Sequence, residues 1–239
     1  RTALARLPVT RKADLMARQS PASPFGGLAA LPVTAAARLF ASPGPIYEFE
    51  TARAGFWRLE RALFAAGFRA GDIVHNCFAY HLTPGGWMLD GAARNLGCAV
   101  IAGGTGNSEQ QVQAIAHFRP SGYTGTPDFL KVLLDKAAEL GADCSSITRA
   151  LVSGGALFPA LRQAYAERGV AVLQCYVTAD LGIIAYESEA RDGMILDEQI
   201  IVEIRRPGTV DPLPELVGIT VTGGRLNAGR RRQETLRQP

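Results

Sequence analysis

The stretch "DIVHNCFAYHLTPGGWMLDGAARNLGCAVIAGG", residues 72–104, decides the fold. It opens on an apolar run of strand length, 72–80. A Pro-Gly-Gly turn follows, then a helical pattern from Trp87 to Gly97, then a second apolar run, 98–104. Two strands separated by one helix form a parallel pair, because only a crossover of this length returns the chain in the same direction. The unit repeats outward. "SEQQVQAIAHFRP" (108–120) is a helix with Ser108 as its cap, and "SGYTGTP" (121–127) is a strand and turn. "PDFLKVLLDKAAELG" (127–141) is strongly amphipathic and closes on Gly141. "ITRALVSGG", "FPALRQAYAERG" and "VAVLQCYV" continue strand, helix and strand to residue 177. Upstream, apolar residues at 56, 57, 59, 63 and 64 predict a helix over 51–67 closed by Gly67.

Alternation of this kind predicts an α/β protein, a parallel sheet with helices on both faces. After residue 186 the pattern changes to short alternating segments broken at Pro-Gly and Asp-Pro, which predicts a small antiparallel β subdomain. The expected organisation is an α/β part over 1–186, a partial β subdomain over 187–222 and a disordered or non-native tail over 223–239. Near the N-terminus, Thr10 is expected to cap a short helix containing Leu15 and Met16.

Composition bounds the class. The chain has 239 residues, 47% hydrophobic and 20% charged, which suits an ordinary soluble domain with a sizeable core. The net charge is +3, and much of the excess sits at Arg225, Arg230, Arg231, Arg232 and Arg237 in the tail. The body is close to neutral, so no nucleic-acid footprint is read from it. Lysines stand only at 12, 131 and 136, leaving few candidates for a catalytic amine. Cys77, Cys98, Cys144 and Cys175 are widely spaced, without a CxxC pair, and read as free buried thiols of a cytoplasmic protein. No apolar run reaches membrane length.

Ligands of open α/β sheets bind at the carboxyl ends of the strands. Four loops are expected there: 80–86, 102–107, 153–157 and 178–182. In the first, Phe78 and Tyr80 would wall a substrate. In the third, Ser153, Gly154 and Gly155 let backbone approach a flat ligand. In the fourth, Tyr176 could stack on a base and Asp180 could hold Mg²⁺. "GGTGNS" (103–108) does not match a dinucleotide fingerprint. "ASPGPIYEF" (41–49) is expected to be a tight loop before the first helix, the place where many proteins grip phosphate.

These pieces occur in a known order. "ALFAAGFRAGDIVHNCFAYHLTPGGWMLDGAARNLGCAVIAGG", "SEQQVQAI", "FRPSGYTGTPDFL" and "VEIRRPGTVDPLPE" resemble the phenylacetate–CoA ligase branch of the adenylate-forming (acyl-CoA synthetase) superfamily, over roughly residues 5–222. The resemblance implies the N-terminal domain of such an enzyme, using ATP, Mg²⁺ and CoA. An aromatic or arylacetic acid would become an acyl-adenylate and then a CoA thioester. It implies Ser42, Gly44, Ser153, Gly154, Gly155, Tyr176 and Thr178 at the nucleotide. It places Phe78, Tyr80, Thr83 and Gly85 at the acid, and Asp180 at the metal.

The departures are specific. Where the family reads Ser-Ser-Gly-Thr-Thr-Gly-Lys-Pro, this chain reads Ala41-Ser42-Pro43-Gly44-Pro45-Ile46-Tyr47-Glu48. Proline offers no N–H to an anion, and Glu48 would repel it. Ala179 stands for the family hydroxyl and Gly155 for a common Glu. Against the family pattern the sequence stops before the lid domain and its catalytic lysine, so a truncated, impaired chain is expected and no catalytic residue is assigned. The expected partner is a small carboxylic acid, not nucleic acid or membrane, and a homodimer is left open. Two alternatives stand beside the ligase: a non-catalytic binding domain or pseudoenzyme, and an NAD(P)-type oxidoreductase resting on "GGTG".

Overall fold

A computed structural model describes residues 10–202 and the strand at 225–226. In the main sheet, β3 (Ile73–Asn76), β4 (Ala99–Ala102), β5 (Gly122–Gly125), β6 (Arg149–Val152) and β7 (Ala171–Thr178) run parallel. Three antiparallel strands extend it: β8 (Gly182–Glu187), β9 (Met194–Leu196) and β10 (Arg225–Leu226). The order is β10-β9-β8-β7-β6-β5-β3-β4.

The expected α/β architecture is present, and the faces explain it. In β6, Ala150 and Val152 join one core cluster while Leu151 joins the other. In β7, Val172 faces one way, Leu173 and Cys175 the other. This period of two buries both faces, so each needs helices. Helices α2 (Glu60–Ala65) and α3 (Gly85–Asn95) cover one side through Leu63, Met88 and Leu89. Helices α4 (Ser108–Phe118), α5 (Pro127–Leu140) and α6 (Pro159–Glu167) cover the other through Ile115, Leu130, Leu133 and Tyr165. Helix α5 ends at Gly141 as its sequence predicts, at φ 63°; at its start the Thr126 hydroxyl accepts from Phe129 N at 3.3 Å and Pro127 opens the first turn.

Three local expectations are revised. The tight loop expected within 41–49 is present only as the turn, residues 43–45, of a β-hairpin: β1 (Arg38–Ser42) pairs with β2 (Ile46–Glu50), Ser42 opposite Ile46. Phe40, Ser42, Ile46 and Glu48 are buried while Leu39 and Tyr47 are exposed, a strand alternation that the flanking prolines mask. Helix α2 starts at Glu60, because Gly55 (φ 65°) and Arg58 (φ 61°) adopt left-handed backbone that no helix tolerates. The first helix, α1 (Lys12–Arg18), is preceded by Arg11 without a side-chain cap, so Thr10 does not cap it. The small antiparallel sheet is this N-terminal hairpin. The antiparallel strands after 186 that are described continue the main sheet, and the rest of the expected β subdomain lies outside the described residues. So does the 223–239 tail apart from β10.

The four cysteines are free and buried, as expected. Burial pushes the Cys175 thiol up to about 12, so it holds its proton. Among the described residues no helix is long and apolar enough to cross a membrane.

Candidate functional site

The sheet order fixes where a ligand can sit. From β3 the chain crosses to β4 at one edge, then returns past β3 to β5. The loops leaving β3 and β5 therefore diverge, and a switch point of this kind is where open α/β sheets take their ligands. Asn76 closes β3 there, fully buried. Its Nδ2 donates to Tyr80 Oη at 2.7 Å and to Gly86 O at 2.8 Å. Its Oδ1 accepts from Thr124 Oγ1 at 3.0 Å and Phe78 N at 3.3 Å. One amide thus ties the β3 loop, the β5 strand and the start of α3 together.

The loop it shapes carries the predicted acid-facing residues. Tyr80 packs edge-on to Trp87 at 5.2 Å between ring centroids, and Trp87 Nε1 donates to Tyr80 O at 3.0 Å. Gly86 is required: a Cβ there would lie 2.8 Å from Ala79 O and from the Tyr80 ring. A Cβ on Gly85 would lie 3.6 Å from Phe78, and one on Gly154 (φ 73°) 3.7 Å from both Phe78 Cε1 and Thr126 Cγ2. A Cβ on Gly104 would lie 4.0 Å from the Tyr80 ring. So Phe78 and Gly85, on the connection from β3 to α3 that also carries Tyr80, lie beside Gly154 of the loop after β6. The Thr83 hydroxyl donates to Ala79 O at 3.4 Å and stabilises the loop itself.

The "GGTGNS" loop is fastened from inside. Gln111 Nε2 donates to the carbonyls of Gly103, Gly104 and Gly106 at 3.3, 3.1 and 2.6 Å. Its oxygen therefore faces His75 Nε2, 2.7 Å away, and Cys77 Sγ, 3.2 Å away. That assigns the proton of His75 to Nε2. Burial lowers the His75 pKa, outweighing the Gln111 bond, so the ring stays neutral near pH 7.

The acidic turn is pinned from the opposite side. Trp57 Nε1 donates to Ala179 O at 3.2 Å. Arg58 donates to Leu181 O at 2.8 Å and Ile183 O at 3.2 Å, and its Nε pairs with Asp197 at 3.0 Å. Gly182 (φ 71°) admits this approach, since a Cβ would lie 2.7 Å from Trp57 O. The Thr178 hydroxyl accepts from Leu181 N at 3.2 Å, closing the turn around Asp180. Tyr176 is 37% exposed at the end of β7. The Ser153 hydroxyl is spent on Cys175 O at 2.8 Å, so only backbone is free for other partners at the turn that follows.

The hairpin lies beside both. Ala41 N donates to Leu82 O at 2.8 Å, and the Arg38 guanidinium stands 4.3 Å over the Trp87 ring. Ser42 Oγ donates to Glu48, which is 7% exposed. Lys12 Nζ, from α1, reaches Asp180 Oδ2 at 2.9 Å and Glu48 Oε1 at 3.4 Å. Burial raises the Glu48 pKa, opposed by Ser42 and Lys12. Burial works against the Lys12 charge, but Asp180 and then Glu48 outweigh it and its pKa is raised. The sequence alone gives no role to Asn76, Trp57, Arg58 or Gln111, and marks Lys12 only as one of three lysines. Among the described residues no group of three or more His, Cys, Asp and Glu is placed for a metal. A single carboxylate such as Asp180 suits Mg²⁺ that arrives with a phosphate, because that ion keeps most of its water.

This fold is that of the adenylate-forming ligases. The structure matches 2-hydroxyisobutyryl-CoA ligase, solved in an open conformation with its acyl-adenylate and CoA, at TM-score 0.72 and 24% identity. The match covers 80% of this chain and 45% of that one. In sequence the chain is a relative of proteins named phenylacetate-coenzyme A ligase. That of Aromatoleum evansii is 30% identical over 238 residues, 92% of this chain and 53% of the relative. That of Thermus thermophilus is 31% identical over 233 residues, 91% and 51%. The chain spans about half the length of these curated relatives. No family model matches it.

Proposed function

We propose that this chain carries the acid- and nucleotide-facing half of an ATP-dependent ligase that converts an aromatic or arylacetic acid to its CoA thioester. The observation that carries the reading is the approach of the Phe78 and Tyr80 loop to Gly154 at the carboxyl ends of the parallel strands, where β3 and β5 diverge. Flat aromatic walls with a side-chain-free floor suit an aryl ring. In this reading Phe78, Tyr80, Thr83 and Gly85 shape the acid pocket. Tyr176, Thr178 and the backbone of Ser153, Gly154 and Gly155 border the adenosine. Ser42 and Gly44 lie toward the phosphates, and Asp180 holds Mg²⁺, which offsets phosphate charge. The carboxylate oxygen attacks the α-phosphorus and pyrophosphate leaves. The CoA sulfur then attacks the acyl carbon and AMP leaves. The described residues are assigned to the first step.

A second reading, a binding domain without chemistry, rests on the hairpin. Pro43 and Pro45 lack N–H donors, and the Ser42 hydroxyl is committed to the buried Glu48. The oxidoreductase alternative is disfavoured, because the Gly103 and Gly104 amides that a dinucleotide phosphate would need donate instead to Ile101 O at 2.9 Å and Asn76 O at 3.0 Å. Exchange of labelled pyrophosphate into ATP separates the first two. Exchange that depends on an arylacetate supports the ligase. A melting temperature raised by the acid alone, with no exchange, supports the binding domain.

A further inference from the structure

Lys12 is 36 residues from Glu48 and 168 from Asp180, yet its ammonium joins the hairpin to the acidic turn. Its backbone is fixed by two anchors. Leu15 is buried under α1. Gln19 pairs with the main chain of Tyr47 in both directions, Nε2 to Tyr47 O at 2.7 Å and Tyr47 N to Oε1 at 2.8 Å. The segment 41–50 itself contains neither lysine nor arginine.

We propose that Lys12 supplies from α1 the phosphate-facing cation that the 41–48 hairpin lacks. The inference rests on the adenylation reading and assigns a residue that the sequence pattern left out. Three observations lead to it. An ammonium has three N–H donors, and among the described residues Lys12 donates to Asp180 and Glu48, so a third proton remains for a further acceptor. Its side chain is 51% exposed, so an anion can reach it from solvent. The charges also fit. One ammonium between two carboxylates leaves the cluster at a net −1, and the divalent ion that accompanies a nucleotide would turn it to +1. Lys12 also neutralises Glu48, the side chain that would otherwise repel a phosphate at this hairpin.

Calorimetric titration of the full chain with Mg–ATP and, separately, with adenosine tests this, in wild type, Lys12→Met and Lys12→Arg. Lys12→Met should weaken Mg–ATP about tenfold, the size of one charge-assisted hydrogen bond. Adenosine, having no phosphate, should bind unchanged. Lys12→Arg should restore most of the loss. Equal loss for both ligands would overturn the proposal and make Lys12 a strap that holds the site together. Unchanged or tighter Mg–ATP would overturn it too, making Lys12 a plug that ligand displaces. Should Lys12→Met fail to fold, Lys12→Gln replaces it, with the thermal midpoint as control. A wild-type chain that binds neither ligand sinks the adenylation reading and this assignment with it. Adenosine binding with an unaltered response to Mg–ATP sinks the Lys12 assignment alone.

Discussion

Asn76 and Tyr80 hold each other in place at the mouth of the sheet: Asn76 Nδ2 donates to Tyr80 Oη across 2.7 Å, four residues apart. Asn76 is fully buried and makes three further hydrogen bonds, so the strand end, the loop and α3 share one hinge point.

Replacing Asn76 by Ala should leave Gly86 O and Thr124 Oγ1 without their partner. The expected destabilisation is about 2–3 kcal/mol by urea unfolding, with weaker binding of arylacetates. Tyr80→Phe removes only the acceptor of one bond and should cost about 1 kcal/mol. Equal effects of the two variants would contradict the hub role.

Gly86→Ala places a methyl against Ala79 O and the Tyr80 ring at 2.8 Å. The overpacking should destabilise by about 1–3 kcal/mol and push Tyr80 out of position. Gly91→Ala, where a Cβ meets nothing within 4 Å in the same helix, should be neutral or stabilising by up to about 1 kcal/mol. Thermal midpoints of the pair check this.

Arg58→Ala should be among the more damaging substitutions outside the loop of Phe78 and Tyr80. It strips Asp197, which is nearly fully buried, of its ion pair and frees the Leu181 and Ile183 carbonyls. Breaking a buried pair in this way costs about 3 kcal/mol. The turn that carries Asp180 should then exchange its amide hydrogens faster than in wild type, while the α5 core keeps its protection.

Asp72 links folding to pH. Burial works against its charge. The Arg69 amide, the Ser121 hydroxyl and the Arg149 guanidinium outweigh burial and hold its pKa below the ordinary value. A folded pKa depressed in this way contributes stability that is complete above the unfolded value, about 3.9, and is lost as pH falls through the folded value. Asp72→Asn should therefore flatten the stability profile below about pH 4 and leave a lower plateau at neutral pH. An unaltered acid limb would contradict this.

The parallel α/β part was legible because its elements are local. Strands such as 149–152 are bounded by helix caps, and α5 carries its Thr126 cap, its Pro and its closing Gly within one window. The second strand of the hairpin is masked in the sequence, because the prolines of its turn outweigh the strand alternation of "IYEFE". The 51–59 segment looked helical because its apolar residues fall at helical spacing. In the structure Trp57 and Leu59 are buried from a left-handed turn that positions Arg58. Phe78, Gly85 and Gly154 stand in the sequence as candidates in different motifs, and the structure places the two glycines beside Phe78. No local pattern gives Trp57 and Arg58 a role, because the carbonyls they bind lie more than a hundred residues away, and Lys12 stands in the sequence only as one of three lysines.

The most direct test of an adenylation site here is calorimetric titration of the chain with Mg–ATP, set beside Asp180→Ala. The account predicts measurable binding that the variant weakens at least about tenfold, the loss expected for one charge-assisted contact. No heat up to roughly millimolar ATP, or equal heat in both proteins, would contradict it.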